Sequence, residues 1–147
     1  MRSLFVVATA AVFLSVVGCQ PKQAQAPQSA EMPSDLRASA GERAASLQRT
    51  YAAEVPGAKV GLVTEVKTLD GDKFIAADVT GVPNGALAVV IDAAEQRIGI
   101  VRAFNGADGQ TFFEVIDASR PIAPGDFVVR FPEGTAVELQ PIEGAST

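Results

Sequence analysis

The 147-residue chain holds one sulfur nucleophile, Cys19, and neither histidine nor tryptophan. A thiol can be alkylated to a thioether, oxidised, or activated by a neighbouring base. Without imidazole, the usual general base near neutral pH is missing, and so are Ser-His and Cys-His pairs and the commonest zinc ligand. Carboxylates remain. Asp70-Gly71-Asp72 and Asp108-Gly109 carry glycine-flanked aspartates, but calcium takes about six to eight oxygens, and no long loop closed by a glutamate follows. They read as hairpin turns. Asp78, Asp92, Glu95, Glu114 and Asp117 lie in strand regions. An acid–base pair would need an apolar pocket to raise one of them, and they read as solvated strand faces. The chain is therefore expected to be no enzyme, with no catalytic residue, metal or cofactor.

Cys19 closes a distinctive segment. Met1-Arg2-Ser3 is a short basic start, and Leu4 to Val17 is almost unbroken apolar sequence. As a helix that run spans about 21 Å, short of the ~30 Å hydrocarbon core, so it reads as an export signal rather than a membrane span. Val16-Val17-Gly18-Cys19 resembles the lipobox of bacterial lipoprotein precursors. That resemblance implies cleavage between Gly18 and Cys19, a diacylglycerol thioether on Cys19 and an amide-linked acyl chain. One acyl chain binds a membrane only marginally, whereas several hold it. Gln20, where aspartate marks inner-membrane retention in enterobacterial lipoproteins, implies the cell outer membrane, facing the periplasm. The inner membrane is the other address, and a secretory signal with a chance cysteine is the competing reading.

Removing residues 1–18 leaves eleven basic against seventeen acidic side chains, a balance of −6. An acidic surface argues against nucleic acid or anionic lipid headgroups as partners. No cysteine follows Cys19, so no internal disulfide is expected.

Residues 19–33, the lipidated cysteine and a Gln/Ala/Pro-rich run, read as a disordered tether. Residues 34–56 read as helix. Ser39 and Glu42 make a capping-box pattern, and Leu36, Ala40, Ala44, Leu47, Tyr51 and Val55 fall near one stripe. Pro56-Gly57 ends it. From there to residue 141 the period becomes two, leaving a short tail at 142–147.

Within that span the sequence repeats. Val60-Gly61-Leu62-Val63 matches Ile98-Gly99-Ile100-Val101, Asp70-Gly71 matches Asp108-Gly109, and Phe74 matches Phe112, all 38 residues apart. Two extra residues then set Val82-Pro83-Asn84-Gly85 against Ile122-Ala123-Pro124-Gly125. Each copy reads as strand, hairpin, strand, tight turn, strand. Alternation assigns Val60, Leu62, Thr64, Val66, Ile75, Ala77, Val79, Leu87, Val89 and Ile91, with their second-copy partners, to one core. Most phenylalanines are thereby expected inside. Three strands leave edges, and two copies can close a ring. The expected fold is mainly β: a small pseudo-twofold six-stranded barrel at 57–141, preceded by signal, tether and one helix. Ala136 to Gln140 is a candidate seventh strand.

The run Ile122-Ala123-Pro124-Gly125-Asp126-Phe127-Val128-Val129, with Val60 to Val66 and Arg97 to Val101, is similar to the C-terminal barrel of flagellar assembly T-type envelope proteins. It also resembles pseudo-symmetric barrels carrying a Gly-Asp box, although the first copy has Gly85-Ala86 where such a box needs aspartate. Gly85, Gly125 and Asp126 read as turn residues, with the carboxylate accepting from nearby amides. Arg102 and Asp117 occupy positions whose repeat partners, Thr64 and Val79, point inward, which suggests a partly buried ion pair. The expected function is a lipid-anchored envelope protein, held to the membrane and binding an unidentified envelope protein without catalysis. The alternative is a lipoprotein that binds polysaccharide or a small molecule.

Overall fold

The computed structural model describes residues 28–108 and 110–135. Gly18, Cys19, the rest of the signal and tether to residue 27, Gly109, the expected strand 136–140 and the tail lie outside the described residues. The elements are β1 (Gln28–Glu31), α1 (Ser34–Glu54), β2 (Lys59–Leu69), β3 (Asp72–Asp78), β4 (Leu87–Ile91), β5 (Arg97–Asn105), β6 (Thr111–Ala118) and β7 (Phe127–Arg130).

Six strands close an antiparallel barrel in the order β2-β3-β6-β5-β4-β7, with β7 returning to β2. Closure satisfies the edge amides and carbonyls that a three-stranded sheet would expose. The ends of β2 and β3 meet through Asp70 and Gly71, both at positive φ (53° and 94°), as a two-residue type I′ hairpin requires.

β1 corrects the tether reading at its C-terminal end. β2 is eleven residues long, and β7 covers only Lys59 to Leu62 of it. The rest of that edge would be unpaired, and β1 takes it at Glu65 to Thr68, followed by Met32 N–H to the Thr64 carbonyl at 3.1 Å.

The internal repeat survives as geometry. β3 and β6 pair through Ile75↔Phe113, Phe74↔Glu114 and Ala76↔Phe112, an arrangement that exchanges residues 38 apart. The other seams differ. Phe127 pairs with Leu62, and a strict repeat would pair Leu87 with Ile100, but Leu87 meets Arg102. The two-residue slip matches the two extra residues of the second copy. Being even, it leaves every side chain on its own face.

Side chains fill the interior: Val63, Ile75, Val90, Val101, Phe113 and Val128 are almost wholly buried there, and Val82 and Ile122 join them from the two tight turns. Several expected core residues lie elsewhere. Val60, Leu62, Val89, Ile91, Phe127 and Val129 form a second cluster around Leu47 of α1, on the outer face. Alternation could not separate the faces because β4 and β7 are apolar on both, and the interior took the smaller set, Ala88, Val90 and Val128. Bulges also reset the phase: the extra residue Thr64 in β2 lets Val63 and Val66 both face inward, and Ile116 in β6 does the same for Val115 and Ala118.

α1 begins at Ser34 behind Pro33, whose carbonyl accepts from the Leu36 and Arg37 amides. The expected capping box is not formed, and Ser39 Oγ donates to the Leu36 carbonyl within the helix. Leu47 is buried against the second cluster, with Ala40, Ala44 and Tyr51 beside it, while Leu36 stays exposed. The Gln48 amide fastens the helix to the sheet, donating to the Ala58 carbonyl (2.8 Å) and accepting from Val60 N–H (2.7 Å).

Candidate functional site

Two constellations stand out, and the first is structural. Gly125 turns the chain at φ +102°, and the buried Asp126 follows it. Its Oδ2 accepts from the Ala123 amide at 2.9 Å, and its Oδ1 accepts from Arg120 Nη2 at 3.0 Å. The Asp126 carbonyl accepts from Val63 N–H, and Gly125 N–H donates to the Val63 carbonyl. This turn therefore fastens β7 to β2 where the barrel closes. Arg120 also lies 3.7 Å from Asp92 and donates to the Pro121 carbonyl. Its hydrogen bond to Asp126 holds the guanidinium above its ordinary pKa. The first-copy turn has the same backbone: Gly85 at φ +82°, its N–H on the Ala103 carbonyl, and Ala86 N–H on Pro83. It has no carboxylate to clamp.

The expected pair of Arg102 and Asp117 is not what the register forms. Arg102 lies opposite Glu114, its Nη1 3.8 Å from Glu114 Oε2, and Asp117 lies opposite Ile100. The extra residue Ile98 breaks the alternation of β5 ahead of exposed Arg102, and Ile116 breaks that of β6 ahead of Asp117. The partly buried ion pair of this half is Arg120 with Asp126. Arg120 was missed because it sits in a connection, where alternation carries no information. Its only signature was an arginine shortly before the Pro-Gly-Asp turn.

The second constellation is an aromatic patch on the outer face of β2, β3, β6 and β5. Phe104 and Phe112 stack at 5.6 Å, and Phe74 meets Phe104 edge-on at 5.8 Å. With Leu69, Lys67, Glu65 and Ser29 of β1 they line an open depression of about 590 Å³. Leu69 is 53% exposed, and Ile116, farther along β6, is 45% exposed. Three phenylalanines thus face outward, against the expectation that most point in. On β6 the alternation is plain: Phe113 is buried inside the barrel while Phe112 lies outside.

The rim of the patch is polar and internally paired. Ser29 Oγ donates to Glu65 Oε1 at 2.7 Å, and Lys67 Nζ lies 3.1 Å from Glu65 Oε2. The Ser29 hydrogen bond, with Lys67 adding to it, lowers the Glu65 pKa. Lys67 Nζ also sits 6.0 Å from the Phe112 ring centre.

Among the described residues, no group of three or more acidic, cysteine or histidine side chains could hold a metal ion, and no described helix is long and apolar enough to cross a membrane. Comparison with family models, with curated proteins and with solved structures finds no match to this chain.

Proposed function

We propose that this is a lipid-anchored protein of the bacterial envelope, facing the periplasm from the outer membrane, whose barrel acts by binding and not by catalysis. The observation that carries the reading is the filled barrel interior beneath an outer surface where half-buried Phe74, Phe104 and Phe112 and exposed Leu69 line an open depression. A six-stranded ring packed with Phe113, Ile75 and valines leaves no lumen for a substrate, so recognition falls to the outside. The Asp126 carboxylate is taken up by the Ala123 amide and Arg120, which suits a structural role for the Gly-Asp turn. The Cys19 lipobox pattern supplies the anchor, and the likeness to the barrel of flagellar assembly T-type proteins agrees with an envelope setting.

Membrane fractionation of Cys19→Ser beside the wild type tests the anchor: the wild type is expected with the membranes and the variant in the soluble fraction. Capture from detergent-solubilised envelopes tests the binding role. A stoichiometric protein partner supports it, and recovery of the barrel alone counts against it. The half-buried phenylalanines lining the open depression favour one second reading, polysaccharide or small-molecule binding. In that case the protein is retained on purified peptidoglycan sacculi.

A further inference from the structure

We propose that the Phe74/Phe104/Phe112 patch is the face that the barrel turns to the bilayer, so that the anchored protein has a fixed orientation. This inference rests on the lipid-anchor reading. Cys19 and Gln28 are nine residues apart, a separation of at most about 30–32 Å for an extended chain and about 15–18 Å for a flexible one. The chain enters the fold at the patch itself, since Ser29, next to Gln28, lines the depression. The described chain therefore begins beside the aromatic rings, within that reach of Cys19. The tether raises the local concentration of membrane at this surface, so even a weak contact is populated.

The chemistry of the patch suits a phospholipid interface. Phe74, Phe104, Phe112 and Leu69 present apolar atoms of the kind that sit at the boundary between headgroups and acyl chains. Two of the carboxylates beside the rings, Glu65 and Glu114, each lie against a cation, Lys67 and Arg102. That pairing limits repulsion of lipid phosphates. The ring order also matters: β3 and β6 lie across the barrel from β4 and β7, so the face covered by α1 points away from the membrane, toward the periplasm.

The chain contains no tryptophan, which permits a single-reporter test. Lipidated Phe112→Trp and Phe131→Trp, the latter beside Tyr51 on the helix-covered side, are reconstituted into phosphatidylcholine vesicles with or without brominated acyl chains. The bromine atoms are expected to quench Phe112→Trp emission about twofold or more and to leave Phe131→Trp almost unchanged, since quenching needs insertion of about 5–10 Å. Leu69→Trp, at the exposed hairpin, reports on the same patch should Phe112→Trp not fold. Equal, weak quenching at both sites in protein that still floats with the vesicles would overturn the orientation and leave the anchor intact. A blue shift at Phe112→Trp without quenching would overturn it in favour of contact between copies. Protein that does not float with the vesicles would overturn both readings.

Discussion

The barrel has two apolar outer faces, and they have opposite fates. Around β4 and β7, Val60, Leu62, Val89, Ile91, Phe127 and Val129 lie beneath α1, with Leu47 at the centre. Across the ring, half-buried Phe74, Phe104 and Phe112 line an open depression, with the short strand β1 at its margin. The first face contributes folding free energy, because its area leaves water on folding. The second keeps much of its area in water, which fits a surface reserved for contact with something outside the chain. Stability and function should therefore separate by face.

The largest effect is expected on the covered face. Leu47→Ala should cost about 2–5 kcal/mol by urea denaturation, the range for emptying a buried leucine site; a cost comparable to a surface substitution would mean that α1 does not close this face. Gln48→Leu keeps much of the side-chain volume but leaves the Val60 amide and Ala58 carbonyl without their partner. It should cost about 1–3 kcal/mol.

A second contrast lies between the two tight turns. Asp126→Ala removes the acceptor for Ala123 and Arg120 and should lower stability by about 1–3 kcal/mol. The reciprocal Ala86→Asp should gain nothing, because the residue matching Arg120, forty positions earlier, is Thr80. A stabilised Ala86→Asp variant would show that the turn alone, without an arginine, accounts for the clamp.

Smaller effects belong to the open face. The double variant Phe104→Ser/Phe112→Ser should change stability by about 1 kcal/mol per ring, since the rings are half-buried and lose one stacked and one edge-on contact. Losses as large as that of Leu47→Ala would make the patch a core element. The smallest change concerns Ser29→Ala, which removes the main cause of the lowered Glu65 pKa. A carboxyl depressed in the folded state stabilises above its unfolded value, and that contribution disappears as pH falls through the folded value. Carboxyl NMR titration should show Glu65 moving up toward the ordinary glutamate range in Ser29→Ala, with a weaker acid dependence of β1 pairing.

Much of this architecture was legible from residue order alone. The 38-residue repeat anticipated a six-stranded barrel, whose strands β3 and β6 meet at Ile75↔Phe113, and the Asp70-Gly71 dipeptide anticipated a hairpin turn. What failed was the assignment of faces. A period-two pattern identifies a core only where one face is polar, and Leu87 to Ile91 offers five apolar residues in succession. Bulges defeat the same pattern in another way, by adding a residue, Thr64 in β2 and Ile116 in β6, that no composition signal marks. The second error reached the patch: Phe104, assigned to the interior by alternation, lies outside, and its neighbour Arg102 meets Glu114 and not Asp117. β1 was missed because Gln28–Glu31 has little strand propensity, and the free edge of β2 supplies its reason to pair.

Intact-mass spectrometry of the protein extracted from cell membranes tests the central claim most directly. The lipid-anchor account requires a chain that starts at Cys19 and carries the added mass of a diacylglycerol and an acyl chain. An unacylated chain, whether it still begins at Met1 or starts elsewhere, would contradict it.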